Sequence, residues 1–230
     1  MAEKMQNTLD AGNRVVSNIK RKLAGLLRTM FGRIFVHEEM IVLETSSQTN
    51  LKSLAACACL KSVTTSKVDV RLADNTDIPR FARFQKFRGG KAGERFKAGH
   101  LCFIAEKNGK IMNYTWVALH DAYIDEIERK IKLSPCSAYG YDEYTDPEYR
   151  GMGILPVVLM STSNYLFQSG TKEIYELVSS NNFPSLRSHQ KVGSRKMGEI
   201  TLSRLFNQRR YSCKGETPED SYKLKEMFSI

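Results

Sequence analysis

The sequence predicts a mixed α/β fold, a mostly antiparallel sheet with a parallel pair at its middle and helices on both faces, preceded by a helical N-terminal extension. Three observations predict it. Strand-length apolar runs alternate with segments of helical apolar spacing from Val68 to Phe206. Lys107-Asn108-Gly109-Lys110 separates two strand-forming runs, 101–105 and 111–119, and Asn-Gly is a strong hairpin signal. Between Tyr141 and Ile154, an alternating aromatic run ends at Asp146-Pro147, passes through a glycine-bearing turn and opens a helix.

The elements follow in order. Residues 1–67 form an N-terminal extension and 68–230 the main domain. Over 13–30, Val15, Val16, Ile19, Leu23, Leu26, Leu27 and Met30 recur at helical spacing, with Arg14, Lys20, Arg21, Lys22 and Arg28 on the other faces. Such a basic amphipathic helix can dock on the core, mediate homodimerisation or lie on an anionic membrane surface. Residues 34–43 read as one or two strands interrupted by His37-Glu38-Glu39, 45–50 as a polar loop and 51–60 as a short helix. A strand at 68–73 leads to a helix at about 77–88, where Thr76 and Asp77 are N-cap types and Pro79 suits a first turn. The basic, glycine-rich 88–99 reads as a mobile loop. After the 101–119 hairpin, Ile124, Ile127 and Ile131 predict a short helix over 123–131. A strand at 138–146, a helix at 151–168, a strand at 172–179, a helix at 184–191 and a last strand at 197–206 complete the order. Residues 214–230 read as polar and peripheral.

Composition bounds the class. At 230 residues and 41% hydrophobic, the chain suits one well-cored domain with an added segment. No apolar run approaches the ~20 residues needed to span a bilayer, and the N-terminus lacks the pattern of a secretory signal. Cys57, Cys59, Cys102, Cys136 and Cys213 are odd in number and scattered, which argues against a disulfide framework. Cys57-Ala58-Cys59 has no second pair to complete a zinc site, so no metal is expected, and a reducing cytoplasm fits. The net charge of +10 attracts polyphosphates, acidic proteins, anionic membranes and nucleic acid alike. No nucleic-acid partner is expected, and most of these charges read as solvated surface.

The turn at 150–154 carries the first chemistry. The opening N–H groups of a helix have no intrahelical partner, and the macrodipole adds positive charge there, so a strand, glycine turn and helix in this order make a seat for a phosphate. Gly151 and Gly153 allow close backbone approach, and Arg150 adds a full charge.

This pattern resembles the pyrophosphate-binding segment of the GNAT superfamily of acyl-CoA-dependent N-acyltransferases. Arg150, Gly153 and Leu155 occupy the three signature positions. The 68–79 stretch, the 101–119 hairpin and Asn182-Phe183-Pro184-Ser185, leading to Lys191-Val192-Gly193, are similar to further family segments, over roughly residues 68–206. The chain departs from the pattern at Leu155, where a small residue is usual, at Asn113, where Gly is common, and at Ser194, where Phe usually follows the last Gly.

The resemblance implies an enzyme that transfers an acyl group, acetyl above all, from acyl-CoA directly to a primary amine, in the cytoplasm that the cysteine usage fits. It implies that backbone groups of Glu143, Tyr144 and Thr145 meet the acyl and pantetheine portions and that Arg150, Gly151, Met152, Gly153 and Ile154 hold the pyrophosphate. Asn182 and Ser185 lie at the matching later helix, Asn182 reading equally as a helix cap. His189 stands where many relatives carry a general-acid tyrosine; its other reading, the one the residue alone favours, is a side chain that merely packs or meets solvent. Glu143, Asp142 and Glu176 lie on strands near the expected site as possible bases; alternation allows only one of Asp142 and Glu143 to face it. Two alternatives stay open: an acidic acyl carrier protein as donor, suited to the basic helix, or a CoA-binding protein without turnover.

Overall fold

The computed structural model describes residues 35–47, 68–84 and 91–230. The helices expected over 13–30 and 51–60 lie outside the described residues. The chain divides into two compact units, residues 1–38 with 202–211 and residues 39–201 with 212–230. In the smaller, the described residues are strand ends and the turn at 206–207, and His37 Nδ1 lies 3.0 Å from Ser203 Oγ.

The strands are β1 (Phe35–Ser46), β2 (Asp69–Leu72), β3 (Leu101–Lys107) and β4 (Lys110–Ala118), a separate hairpin of β5 (Ala122–Ile124) and β6 (Arg129–Ile131), and β7 (Ser137–Thr145), β8 (Glu173–Ser179), β9 (Arg195–Leu205) and β10 (Gln208–Gly215); the larger unit holds all of them except residues 35–38, 202–205 and 208–211. The eight-stranded sheet runs β10-β9-β1-β8-β7-β4-β3-β2. The β3/β4 turn places Asn108 at φ 52° and Gly109 at φ 74°, the left-handed pair that a tight hairpin requires. Pairs β1/β8, β2/β3, β3/β4 and β4/β7 are antiparallel. Only a crossover can make neighbouring strands parallel, and the β7/β8 pair at the middle is joined by helix α2 (Ile154–Gln168); α1 (Ala92–Lys97) precedes it.

Alternation along the strands gives each face its own cover. On one face α2 packs Ile154, Val158 and Leu166 against Phe103, Met112, Val117, Ala138 and Ile174. Helix α3 (Phe183–Lys191) lies on the same side, with Leu186 against Ile41, Leu43 and Val178. On the other face a 3-10 helix, Asn75–Phe84, sets Phe81 and Phe84 on Tyr114 and Trp116. Beside it α4 (Pro218–Phe228) inserts Leu224, Met227 and Phe228 among Val42, Tyr139, Tyr175 and Ile200.

Several expectations are corrected. Residues 34–43 are not interrupted at His37-Glu38-Glu39: β1 is continuous, and Met40 to Ser46 pair along the whole of β8. This interior strand comes from the sequence assigned to the N-terminal extension. The expected 77–88 helix is 3-10 from Asn75 to Phe84, and within 88–99 the loop is replaced by α1, which Phe96 anchors by packing on Trp116 at 5.0 Å. The expected helix over 123–131 is the β5/β6 hairpin. Ile124 and Ile131 on the strands and Ile127 in the turn enter one core, which imitates helical spacing. The helix expected from 151 begins at Ile154. The strand at 195–205 is not the last, and 214–230 is not peripheral: Leu224 and Phe228 are fully buried, and Arg195 bridges Glu44 and Asp220 at the start of α4. No helix among the described residues is long and apolar enough to cross a membrane.

Candidate functional site

The site begins where two strands part. β7 pairs with β8 only from Ser137 to Gly140, opposite Glu173 to Glu176. Beyond that point β8 continues as Leu177 to Ser179 against β1, and β7 continues to Thr145 against β4. The β8-facing backbone edge of Tyr141 to Thr145 therefore has no strand partner and lines a wedge-shaped gap, suited to an extended ligand that takes the missing hydrogen bonds.

A bulge decides which carboxylate faces which way. Trp116 is registered with Tyr141 and Tyr114 with Tyr144, so Asp142 and Glu143 together oppose Thr115. Asp142 adopts φ 49°. The extra residue reverses the alternation. Asp142 turns toward α1 and pairs with Arg95 at 2.6 Å, while Glu143 turns to the opposite face, toward α3. Strict alternation from Tyr139 and Tyr141 would have given the reverse.

Glu143 there meets His189 of α3 and Glu176 of β8. Glu143 Oε1 lies 3.3 Å and Glu176 Oε2 3.5 Å from His189 Nε2. His189 is wholly buried, the Glu176 side chain is 8% exposed and that of Glu143 is 12% exposed. His189 Nδ1 lies 2.9 Å from the Ser185 carbonyl, which can only accept, so Nδ1 carries a proton and Nε2 faces the carboxylates. Burial alone would lower the His189 pKa, but the two carboxylates outweigh it and raise it; burial raises that of Glu176. Nδ1 is thus held by the Ser185 carbonyl, and Nε2 faces the two carboxylates, of which Glu143 is the more exposed.

The other predicted residues distribute as follows. Tyr144 stacks on Tyr114, and Thr145 Oγ1 accepts from Asn113 Nδ2 at 2.8 Å, so only their backbones reach the gap. Gly153, at φ 71°, caps α2 with no side-chain hydrogen bond, leaving the first helical N–H groups open; Gly151 has φ 77°. Ile154 buries its side chain in the core and offers only its N–H. Met152 is exposed, and Arg150 folds back, its Nε donating to Thr145 O at 3.1 Å. Asn182 caps α3 by accepting from the Ser185 N–H at 3.3 Å, and Ser185 Oγ is 3.4 Å from His189 Nδ1. Ser194 lies 2.7 Å from Thr45 of β1 through their hydroxyls, and Leu155 packs against Leu159, Met160 and Val192.

On the face opposite His189, β7 borders a cavity of about 330 Å³. Tyr139, Tyr141 and Leu177 form its floor, and Arg95, Tyr123 and Glu126 are among its walls. Tyr139 and Tyr141 are stacked at 5.6 Å, and His100 Nδ1 lies 2.5 Å from the Tyr141 hydroxyl. Sequence reasoning missed this cavity, because Lys91 and Arg95 and the residues from Tyr123 to Glu126 that line it lie in segments that were misassigned.

The family model for the acetyltransferase (GNAT) family matches residues 71–193. A GNAT-family acetyltransferase from Colwellia psychrerythraea superposes with a TM-score of 0.54 at 14% identity, over 74% of this chain and 57% of that one. A conserved protein of unknown function from Staphylococcus epidermidis gives a TM-score of 0.51 at 8% identity, over 80% of this chain and 67% of that one. At such identities the likeness is one of fold. No curated protein matches the sequence.

Proposed function

The chain belongs to the acetyltransferase (GNAT) family, and from that premise we propose that it transfers an acyl group from acyl-CoA directly to a primary amine on a small molecule. Acyl-CoA is the family's cosubstrate and supplies an activated thioester. The observation that carries the proposal is the junction of the open β7 edge with the uncapped start of α2. The residues present fit the donor: a gap with unpaired backbone for the pantetheine arm, and helical N–H groups at Gly153 and Ile154 for the phosphates.

In the proposed reaction the amine nitrogen bonds to the thioester carbon, the C–S bond breaks, the amine gives up a proton and the sulfur acquires one. Backbone N–H groups of the β7 edge polarise the carbonyl, with no reorganisation needed because the bulge already fixes them. Glu143 accepts the amine proton, directly or through one water, and is the titratable group of its cluster with the most open face. His189, behind it, is a positioning residue that holds the Glu143 carboxylate. The body of the acceptor sits in the cavity on the other side of β7, and its amine enters the gap between β7 and β8 to reach the thioester and Glu143. Its volume, about 330 Å³, lies at the small end of ligand pockets and favours a small amine over a protein lysine. Free thiols at Cys102, Cys136 and Cys213 accord with a cytoplasmic setting.

The test is release of free CoA thiol by the full chain with acetyl-CoA and a panel of small primary amines. Amine-dependent release that Glu143→Gln abolishes supports the proposal. CoA binding with no amine turned over sinks it and leaves a CoA-binding protein.

A further inference from the structure

Glu143 Oε1, Glu176 Oε2 and His189 Nε2 are buried and lack a hydrogen-bond partner, although they lie within 4.8 Å of one another. Their 3.3 and 3.5 Å separations are longer than the ~2.7–2.9 Å of a charge-assisted hydrogen bond. They match instead the roughly 3.3–3.6 Å between ligand atoms arranged tetrahedrally around zinc at bond lengths of ~2.0–2.2 Å. The outer contacts agree. His189 Nδ1 donates to the Ser185 carbonyl at 2.9 Å, the partner that fixes an imidazole with its other nitrogen free to ligate. Gly140 has no side chain to displace Glu176, whose Cγ lies 3.0 Å from where a Cβ would stand.

We propose that Glu143, Glu176 and His189 form a three-ligand site for a divalent ion of the zinc class, and that its occupancy switches acyl transfer off. One imidazole and two carboxylates suit Zn²⁺ better than Mg²⁺, which demands near-octahedral oxygen ligands and keeps its waters. The two carboxylates balance the charge of the ion, and the fourth position opens on the side of Glu143, the most exposed of the three. Binding exchanges the ion for the proton the cluster holds, which leaves to solvent; nothing is oxidised or reduced. The site stands on its own geometry. The inhibition rests on the proposed role of Glu143 as base, because a carboxylate bound to metal no longer accepts the amine proton.

The test uses the full chain, stripped with chelator and dialysed against Zn²⁺ alone in the absence of CoA. One equivalent should bind, and Glu176→Gln and His189→Gln should each weaken binding at least tenfold while the circular dichroism spectrum is kept. Co²⁺ loaded in place of Zn²⁺ should give tetrahedral visible bands without thiolate charge-transfer absorption. No stoichiometric binding, binding indifferent to both substitutions, or cobalt–thiolate bands would each overturn the metal site. If the metal binds but turnover is unchanged by it, the inhibitory role is overturned and Glu143 is not the base. An inactive but metal-binding protein instead counts against acyl transfer alone.

Discussion

Gly140 and Glu176 stand opposite each other at the last paired position of the parallel strands, and a Cβ on Gly140 would lie 3.0 Å from Glu176 Cγ. The missing side chain is what lets a glutamate fold over the sheet into the space beneath α3. Below that pair the strands are hydrogen-bonded; above it they part. The pair thus marks the root of the gap and sets one wall of the cluster around His189.

Gly140→Ala should displace the Glu176 carboxylate by a few tenths of an ångström without changing the fold. The strain of overpacking is about 1–3 kcal/mol, which should appear as a lowered Tm. Turnover should fall as Glu143 and His189 readjust, while CoA affinity holds because the α2 turn lies on another element. A variant with wild-type Tm and activity would show that Glu176 moves aside freely.

Glu143→Gln removes the proposed base and keeps the shape. General-base contributions run ~10²–10⁴-fold, and kcat should fall within that range with the KM for acyl-CoA little changed. Steady-state kinetics with any accepted amine decides it, and slow hydrolysis of acyl-CoA is a substitute readout. Asp142→Asn should act differently: it breaks the ion pair with Arg95 at 2.6 Å and should disturb the acceptor cavity, raising the KM for amine more than it lowers kcat.

Gly153→Val should weaken CoA binding at least tenfold. The residue sits at φ 71°, where a β-branched side chain is strained, and its replacement would crowd the helix start where the phosphates are placed. Calorimetric titration with CoA reads this directly, and an unchanged Kd would remove the turn from the binding site.

Much of this was legible in the sequence because local chemistry fixed it. Asn108-Gly109 demands a hairpin, and Gly153 with its flanking strand and helix announces the turn at 150–154. What was not legible depended on partners distant in the chain. The β5/β6 strands have three residues each, too short to show alternation, and their isoleucines mimic a helix. α1 buries only Ala92, so it has almost no apolar stripe to read. The bulge was invisible because it is defined by register with β4, and it reversed which of Asp142 and Glu143 faces α3. Glu143 and His189 were both singled out, but that Glu176 completes their cluster follows from α3 folding over β8, which no spacing records.

Acid should weaken the protein through Asp77. Its carboxylate accepts from Arg71 at 2.8 Å and also pairs with Arg80, and these contacts hold its pKa down at about 2. An Asp in the unfolded chain titrates near ~3.9, so the folded state binds the proton more weakly. The stabilisation is complete above about pH 4 and is lost as pH falls through 2. Because both arginines are about one third exposed, solvent screening keeps the contribution to roughly 1–2 kcal/mol. Asp77→Asn should lower stability by that amount at pH 7 and flatten the loss between pH 4 and 2, as urea titrations at several pH values would show. An acid limb unchanged by the substitution would place the sensitivity elsewhere.

His189→Ala and His189→Gln separate holding from mere filling. Alanine leaves two carboxylates facing one another across a buried space, with no donor between them. Like charges so placed repel, and one carboxyl must be protonated or turn away. Because Glu143 is the member with access to the gap, it is the one free to turn, and kcat should fall about as far as it does in Glu143→Gln. Glutamine retains an N–H donor of similar reach, so it should recover a substantial part of the rate. Neither change touches the α2 turn, and CoA affinity should stay within about twofold in both, a small effect of the size expected for sites without shared partners. If glutamine is as inactive as alanine while both bind CoA normally, the imidazole does more than hold Glu143, and proton passage through the ring becomes the better account. If both lose CoA affinity with kcat intact, His189 belongs to the wall of the binding site.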